Sequence, residues 1–423
     1  MFKILFLFIS FIFSSSHIEE LPIGFTQEEL ENRDVIKEWM YRTDPPQGPV
    51  RNIAEYEPMQ GVLIRYPFGI STSLIREMAE DVIIYCLVSS SQQNSAYNSM
   101  NNADVDMNNV EFILGSTDSY WTRDYGPWWV VDGNGEYAIV DFTYNRPRPN
   151  DNEAPYKVSE HLGVPYYSAD FISTGGNYMT DGLGVSAAAH IAYTENDECN
   201  TNNQSGIPLP PCAYVDDIMS DYYGIDTYHV VADPNNEYID HIDCWGKFLS
   251  PNRLLIREVP SSHSQYNMIE EVVDYFQSVS TADGGLWEIF RVYTPSDQPY
   301  TNSLILNNKV FVPIMNSSWD DEALEVYEAA MPNHEILGFT GSWQSTDALH
   351  CRVRGIPDIN YSPFEDGDIN MDSSIDILDV VVLVNFVLGT NTPDNIQLGL
   401  SDLNNDGIVN ILDIISLINM ILG

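Results

Sequence analysis

The chain is expected to fold as an α/β domain followed by a small all-α domain, and two observations predict this. Between about residues 51 and 354, strand-like apolar runs alternate with helical stretches, the mixture typical of the α/β class. After Arg354 there is no Lys, Arg or His, and a twelve-residue acidic pattern occurs at 368–379 and again at 402–413.

The elements follow in order. Met1-Phe2-Lys3, an apolar run over 4–13 and then Ser14-Ser15-Ser16 read as a secretory signal over 1–16. That run is too short to cross a bilayer as a helix. Residues 17–45 are polar and form a lead-in segment with a short helix. Strands are expected near 62–66, 82–86, 137–141, 254–256 and 310–312, and helices near 71–80, 268–277 and 320–330. These belong to one large domain over 46–354. Pro357 and Pro363 mark a linker over 355–366, and 367–423 form the small domain. The most apolar later stretch, 380–388, is short and carries Asn385, so no membrane span is expected.

Among 423 residues, 18 are Lys or Arg and 62 are Asp or Glu, for a net charge of −44. Such a field repels a phosphate backbone, so nucleic acid is not an expected partner, whereas a cationic ligand is attracted. Five cysteines in an exported chain leave at least one thiol free. Cys199 and Cys212 flank a Pro/Asn/Ser-rich loop and are either bridged or both reduced. Cys86 lies in an apolar run and reads as a core residue.

Six strings in the large domain gather chemistry. They are Trp121-Thr122-Arg123-Asp124-Tyr125-Gly126-Pro127-Trp128, Asn145-Arg146-Pro147-Arg148-Pro149-Asn150, Gly175-Gly176-Asn177, His241-Ile242-Asp243, Tyr300-Thr301-Asn302-Ser303 and Ala348-Leu349-His350-Cys351. Together they hold a thiol, an imidazole and separated carboxylates, a nucleophile–base set with anionic partners for a cation. On a strand, His241 and Asp243 would share one face. Arg146 and Arg148 each precede a proline, which favours extended backbone. Their spacing puts both guanidinium groups on one side, as a fork for a carboxylate. Gly-Gly-Asn by itself is ordinary turn chemistry.

Taken in order, these strings resemble the Porphyromonas-type peptidylarginine deiminases, relatives of the agmatine deiminases in the guanidino-group-modifying superfamily. The resemblance covers about 45–353. It implies a five-bladed α/β propeller (the pentein fold) and hydrolysis of peptidyl-arginine to citrulline and ammonia through a covalent thiouronium intermediate. It implies that Cys351 is the nucleophile, His241 the general acid/base, and Asp124 and Asp243 the guanidinium-binding carboxylates. Asn302 would stand beside the cysteine. Arg146 and Arg148 would bind the α-carboxylate of a C-terminal arginine, and Trp121 and Tyr238 would wall the pocket. No cofactor is implied for catalysis. Competing expectations are a secreted agmatine deiminase, whose relatives serve putrescine biosynthesis, and a non-catalytic binding protein of the same fold.

The acidic repeats follow the calcium-loop pattern, with Asp at position 12. Asp368, Asn370, Asp372, Asp376 and Asp379 are the side-chain ligands of the first loop, with the carbonyl of Ser374. Asp402, Asn404, Asp406, Asn410 and Asp413 serve the second, with the carbonyl of Ile408. Gly407 eases the second loop's sharp turn, while Ser373 stands in the first. The two units resemble a type I dockerin, which implies two Ca2+ ions and a cohesin-type scaffold as partner. In a dockerin, Ile377-Leu378 and Ile411-Leu412 would face that partner, or else pack within the module. The expected location is therefore secreted, with attachment through this module.

Overall fold

The computed structural model describes residues 20–199, 205–361, 364–371, 374–393 and 395–423. The proposed signal over 1–16, the first lead-in residues, Asp372, Ser373 and part of the linker lie outside the described residues.

Five separate sheets make up the large domain. Each repeats one plan: an antiparallel pair, then a helix, then a strand parallel to the second member. Gly246–Ser250 pairs antiparallel with Arg253–Glu258, the helix Tyr266–Ser278 crosses over, and Glu288–Tyr293 returns parallel. Leu304–Leu306, Lys309–Ile314, the helix Asp320–Ala330 and Glu335–Thr340 repeat it. So do Trp128–Val131, Tyr137–Tyr144, the helix Ala154–Leu162 and Tyr166–Ser173, with Arg51–Asn52 added at the edge. Met179–Thr180, Val185–Ala189, the helix Ala213–Tyr223 and Thr227–Val231 form the smallest sheet. In the last sheet Arg354–Pro357 pairs antiparallel with Met59–Arg65, followed in parallel by Ile83–Val88 and Val110–Leu114.

A strand covered on both faces reads as a continuous apolar run. Tyr137–Tyr144 is buried along its whole length, which is why this stretch is legible as a strand. The expected strands and helices all fall on observed ones. The boundary near 354 needs correction, because Arg354–Pro357 is a paired strand of the large domain. Residues 355–357 therefore belong to a sheet and not to a linker. Cys86 is fully buried, as expected, and burial pushes its thiol up to about 12. Cys199 and Cys212 are joined by a disulfide.

The lead-in contains the helix Gln27–Glu31, capped by Thr26 in a capping box with Glu29, and a 3-10 turn over Arg33–Trp39. It does not trail into solvent. It crosses the face where the six strings converge.

The small domain has helices Ile377–Val387, Asn395–Ser401 and Ile411–Leu422 around Ile369, Val380, Leu383, Leu400, Ile414 and Leu417. Asp376 and Asn410 cap the first and last helices, and Asp379 and Asp413 complete capping boxes. Asp379 Oδ1 also accepts from the Ile369 and Asn370 N–H groups, and Asp413 Oδ1 from that of Asn404. Gly407 has φ +81°, the left-handed conformation its turn requires. Ile377, Leu378, Ile411 and Leu412 are all exposed, so they do not pack within the module.

Candidate active site

Cys351 sits in the 3-10 turn His350–Arg352, just ahead of the strand Arg354–Pro357, and is fully buried. The Asn302 side chain holds the Cys351 turn: its Nδ2 lies 3.2 Å from Cys351 Sγ, and its Oδ1 accepts from the Cys351 N–H at 3.3 Å. Asp243 Oδ2 is 3.9 Å from the sulfur. His241 and Asp243 do not lie on a strand. They flank the start of a 3-10 turn, Ile242–Cys244, so both reach inward from a tight loop. The Asn177 Oδ1 accepts from the Ile242 N–H and fixes that loop between them.

Asp124 is buried, and neither of its oxygens meets a hydrogen-bond donor. The His241 ring stands beside it, with Nδ1 3.7 Å from Oδ1, and both His241 nitrogens also lack hydrogen-bond partners. Unpaired buried polar atoms are expensive and call for a ligand to explain them. Gly176 makes this arrangement possible. A Cβ there would come within 2.5 Å of His241 Nδ1 and 2.7 Å of Asp124 Oδ1. The turn glycine in Gly-Gly-Asn is therefore needed for close approach.

His350 connects this group to a buried charge network. Its Nδ1 is 2.7 Å from Asp243 Oδ2, and its Nε2 is 2.6 Å from Glu55 Oε2. Glu55 also binds Arg123 and Lys247. A neutral ring has a single N–H and would turn a lone pair toward one carboxylate, so the two contacts favour the imidazolium, while burial and then the Arg123 charge lower the His350 pKa. Burial works against the charge on Asp243, but the hydrogen bond from His350 holds its carboxyl below the usual range. Burial and then the Asp243 charge push Asp124 well above that range. Burial lowers His241 to about 4, leaving it a neutral base. Burial, then Asp243 and Asp124, raise the Cys351 thiol well above its ordinary value.

Comparison with known proteins fits this geometry. Residues 52–357 match the family model for Porphyromonas-type peptidyl-arginine deiminase. The chain belongs to that family. Residues 366–422 match the type I dockerin domain. Agmatine deiminase of Medicago truncatula is 24% identical over 305 residues, spanning 59% of this chain and 79% of the plant protein. The agmatine deiminase of Pseudomonas putida is 24% identical over 278 residues, or 56% of this chain and 73% of its own. The solved structure of Enterococcus faecalis agmatine deiminase superposes with a TM-score of 0.60 at 18% identity, covering 81% of this chain and all of that one. The mixed α/β architecture is therefore the pentein-type deiminase fold. The chain is a guanidino-modifying deiminase carrying a C-terminal dockerin.

Within this deiminase the expected residues separate into two groups. Cys351, His241, Asp124, Asp243, Asn302 and Trp121 are brought together and buried. Tyr238 is 67% exposed and lies over Gly24 of the lead-in, so it does not wall the buried site. Arg146 and Arg148 lie in a loop, not a strand, and are not an open fork. Arg148 Nε and Nη2 donate to the Glu29 carboxylate at 2.7 and 3.2 Å. Arg146 Nε donates to the Ile23 carbonyl at 3.1 Å, and its guanidinium lies 4.2 Å from the centre of the Phe25 ring. Sequence reasoning also missed Glu55 and the role of His350. His350 adjoins the cysteine in its string, but Glu55 carries no local signal and reaches the site only through the fold.

Proposed function

We propose that this chain hydrolyses the guanidinium of a peptide's C-terminal arginine to citrulline and ammonia, with Cys351 as nucleophile. The observation that carries the reading is the buried, unpartnered Asp124 carboxylate beside His241 and Cys351. A planar guanidinium offers five N–H donors, and Asp124 and Asp243 would hold it from two sides. Its positive charge offsets the carboxylates that keep the thiol protonated. Neutral His241 takes the thiol proton, and Cys351 Sγ bonds to the guanidinium carbon. His241 returns the proton to a terminal nitrogen, which leaves as ammonia from the tetrahedral adduct. The remaining S-alkylthiouronium is attacked by water, whose proton passes to His241. The carbon–sulfur bond then breaks: the hydroxyl oxygen loses its proton and becomes the ureido carbonyl, the sulfur keeps the bond pair and takes the proton from His241, and the other proton leaves with ammonia as ammonium. Asn302 holds the sulfur in place, and Trp121 packs beside it. No cofactor enters these steps.

In this reading the five repeated sheets close as a propeller around the site. Arg146 and Arg148 take the substrate's carboxylate side. A second reading, agmatine turnover, is favoured by the engagement of both arginines in the structure, since agmatine has no carboxylate to place there. The Cys199–Cys212 bridge supports export, because disulfides persist in oxidising compartments. The dockerin's oxygen-only donor set suits a hard cation. Asp368, Asn370, Asp372, the Ser374 carbonyl, Asp376 and Asp379 would hold one Ca2+. Asp402, Asn404, Asp406, the Ile408 carbonyl, Asn410 and Asp413 would hold the other. The exposed Ile377-Leu378 and Ile411-Leu412 pairs fit an apolar contact with a cohesin-type scaffold.

The deciding experiment measures ureido product from peptides ending in arginine, peptides with internal arginine, and agmatine. Product from the first alone supports the peptide reading, whereas product from agmatine alone replaces it with the second. No product from any of the three removes the enzymatic reading.

A further inference from the structure

The lead-in holds the same arginines that the proposed reaction assigns to substrate. Three successive main-chain carbonyls point into the Arg146/Arg148 loop. Pro22 and Gly24 accept from Arg148 Nη2 at 2.7 and 2.9 Å, and Ile23 accepts from Arg146 Nε. The Ile23 side chain is buried in one cluster with Trp121, Ile239, Cys244 and Cys351. The Glu29 carboxylate lies across Arg148. Upstream, Glu20 pairs with Arg65 and accepts from the Tyr120 N–H at 3.1 Å. Downstream, Arg33 pairs with Glu195 at 2.6 Å, and Glu195 also binds Asn145 of the arginine loop. Arg148 and Arg146 are almost fully buried, and Arg148 Nη1 still lacks a partner.

We infer that this groove is a subsite for extended peptide, which the chain's own residues 20–29 occupy in competition with peptide substrates. The inference rests on the deiminase reading and deepens it. A site for a free amine such as agmatine needs no donors for consecutive carbonyls. Here two buried guanidinium groups supply them, and a carboxylate is accepted alongside. Ile23 stands against the nucleophile as a substrate side chain would. Peptide turnover then requires the lead-in to leave the groove.

The test uses the full chain with Glu29→Gln, which weakens the carboxylate contact, and with Ile23→Asp, which sets a carboxylate into the apolar cluster around Cys351. Exposed Glu28→Gln is the control. For each variant, kcat/KM on a peptide ending in arginine and the rate of Cys351 alkylation by iodoacetamide are measured, with circular dichroism confirming the fold. Loss of one charge-assisted contact should raise both rates about tenfold. A synthetic peptide of residues 20–31 added to the Ile23→Asp chain should bind in calorimetry and reverse the gain, and its Glu29→Gln version should bind about tenfold more weakly. Folded variants that alkylate and turn over peptide at the control rate overturn the inference, as does a 20–31 peptide that does not bind. If alkylation speeds up and the peptide binds while no guanidine is hydrolysed, the subsite stands and the deiminase reading falls.

Discussion

His350 Nδ1 lies 2.7 Å from Asp243 Oδ2, so the residue before Cys351 orients the carboxylate beside it. Glu55 holds the other ring nitrogen, which makes His350 a positioning residue for Asp243. Replacing His350 with Asn should lower kcat/KM 10- to 100-fold and destabilise the fold by about 3–5 kcal/mol, because two buried carboxylates lose their shared cation. The titration midpoint for Cys351 alkylation should also move further up, since nearby negative charge disfavours the thiolate. Lost stability with an unmoved midpoint would reduce His350 to a structural part.

Asp124→Asn should separate activity from stability. The substitution removes a carboxylate that has no protein partner and should cost about 10²–10³-fold in kcat. Removal of a buried carboxyl whose charged form burial disfavours should leave the melting temperature unchanged or higher. A large loss of stability would mean that Asp124 is paired within the fold.

The Cys351 thiol is raised by burial and by Asp243 and Asp124, so its thiolate fraction at any pH falls below that of a free cysteine. In the free protein, alkylation by neutral iodoacetamide should rise only above the ordinary thiol range. A cationic chloroacetamidine should react faster at neutral pH, because its charge is held between the two carboxylates. Equal pH profiles for the two reagents would contradict the proposed cation site. Cys351→Ala should abolish turnover with its fold preserved, as judged by circular dichroism.

Chelation should act on the dockerin and spare turnover. All proposed Ca2+ ligands lie beyond the last strand of the large domain, and binding to such loops is coupled to folding of their module. Thermal scans with and without chelator should show an early transition for residues 367–423, while ureido release from a soluble substrate is unchanged. Equal loss of both would place an essential cation in the large domain.

The sequence revealed the chemistry more readily than its setting. Cys351, His241, Asp124 and Asp243 lie in distinctive strings, and the fold brings those strings together. The arginine pair was legible as a basic cluster, but not its partner, because Glu29 meets Arg148 across 119 residues. Glu55 meets His350 across 295 residues, with no local pattern to announce it. The repeated sheets were equally hidden. Their crossover helices range from Thr72–Met78 to Tyr266–Ser278, so no fixed period survives in the sequence.

The pairing of Arg354–Pro357 with Met59–Arg65 also affects when the protein can become active. A chain emerging from a ribosome or a translocation pore presents its N-terminal part first. Asp124, His241 and Asp243 all precede the Cys351 sulfur, and the strand that follows that sulfur is among the last of the domain to emerge. A nascent chain that ends between Asp243 and Cys351 therefore holds both carboxylates but not the thiol. The thiol enters its pocket only as the first and last strands of one sheet meet.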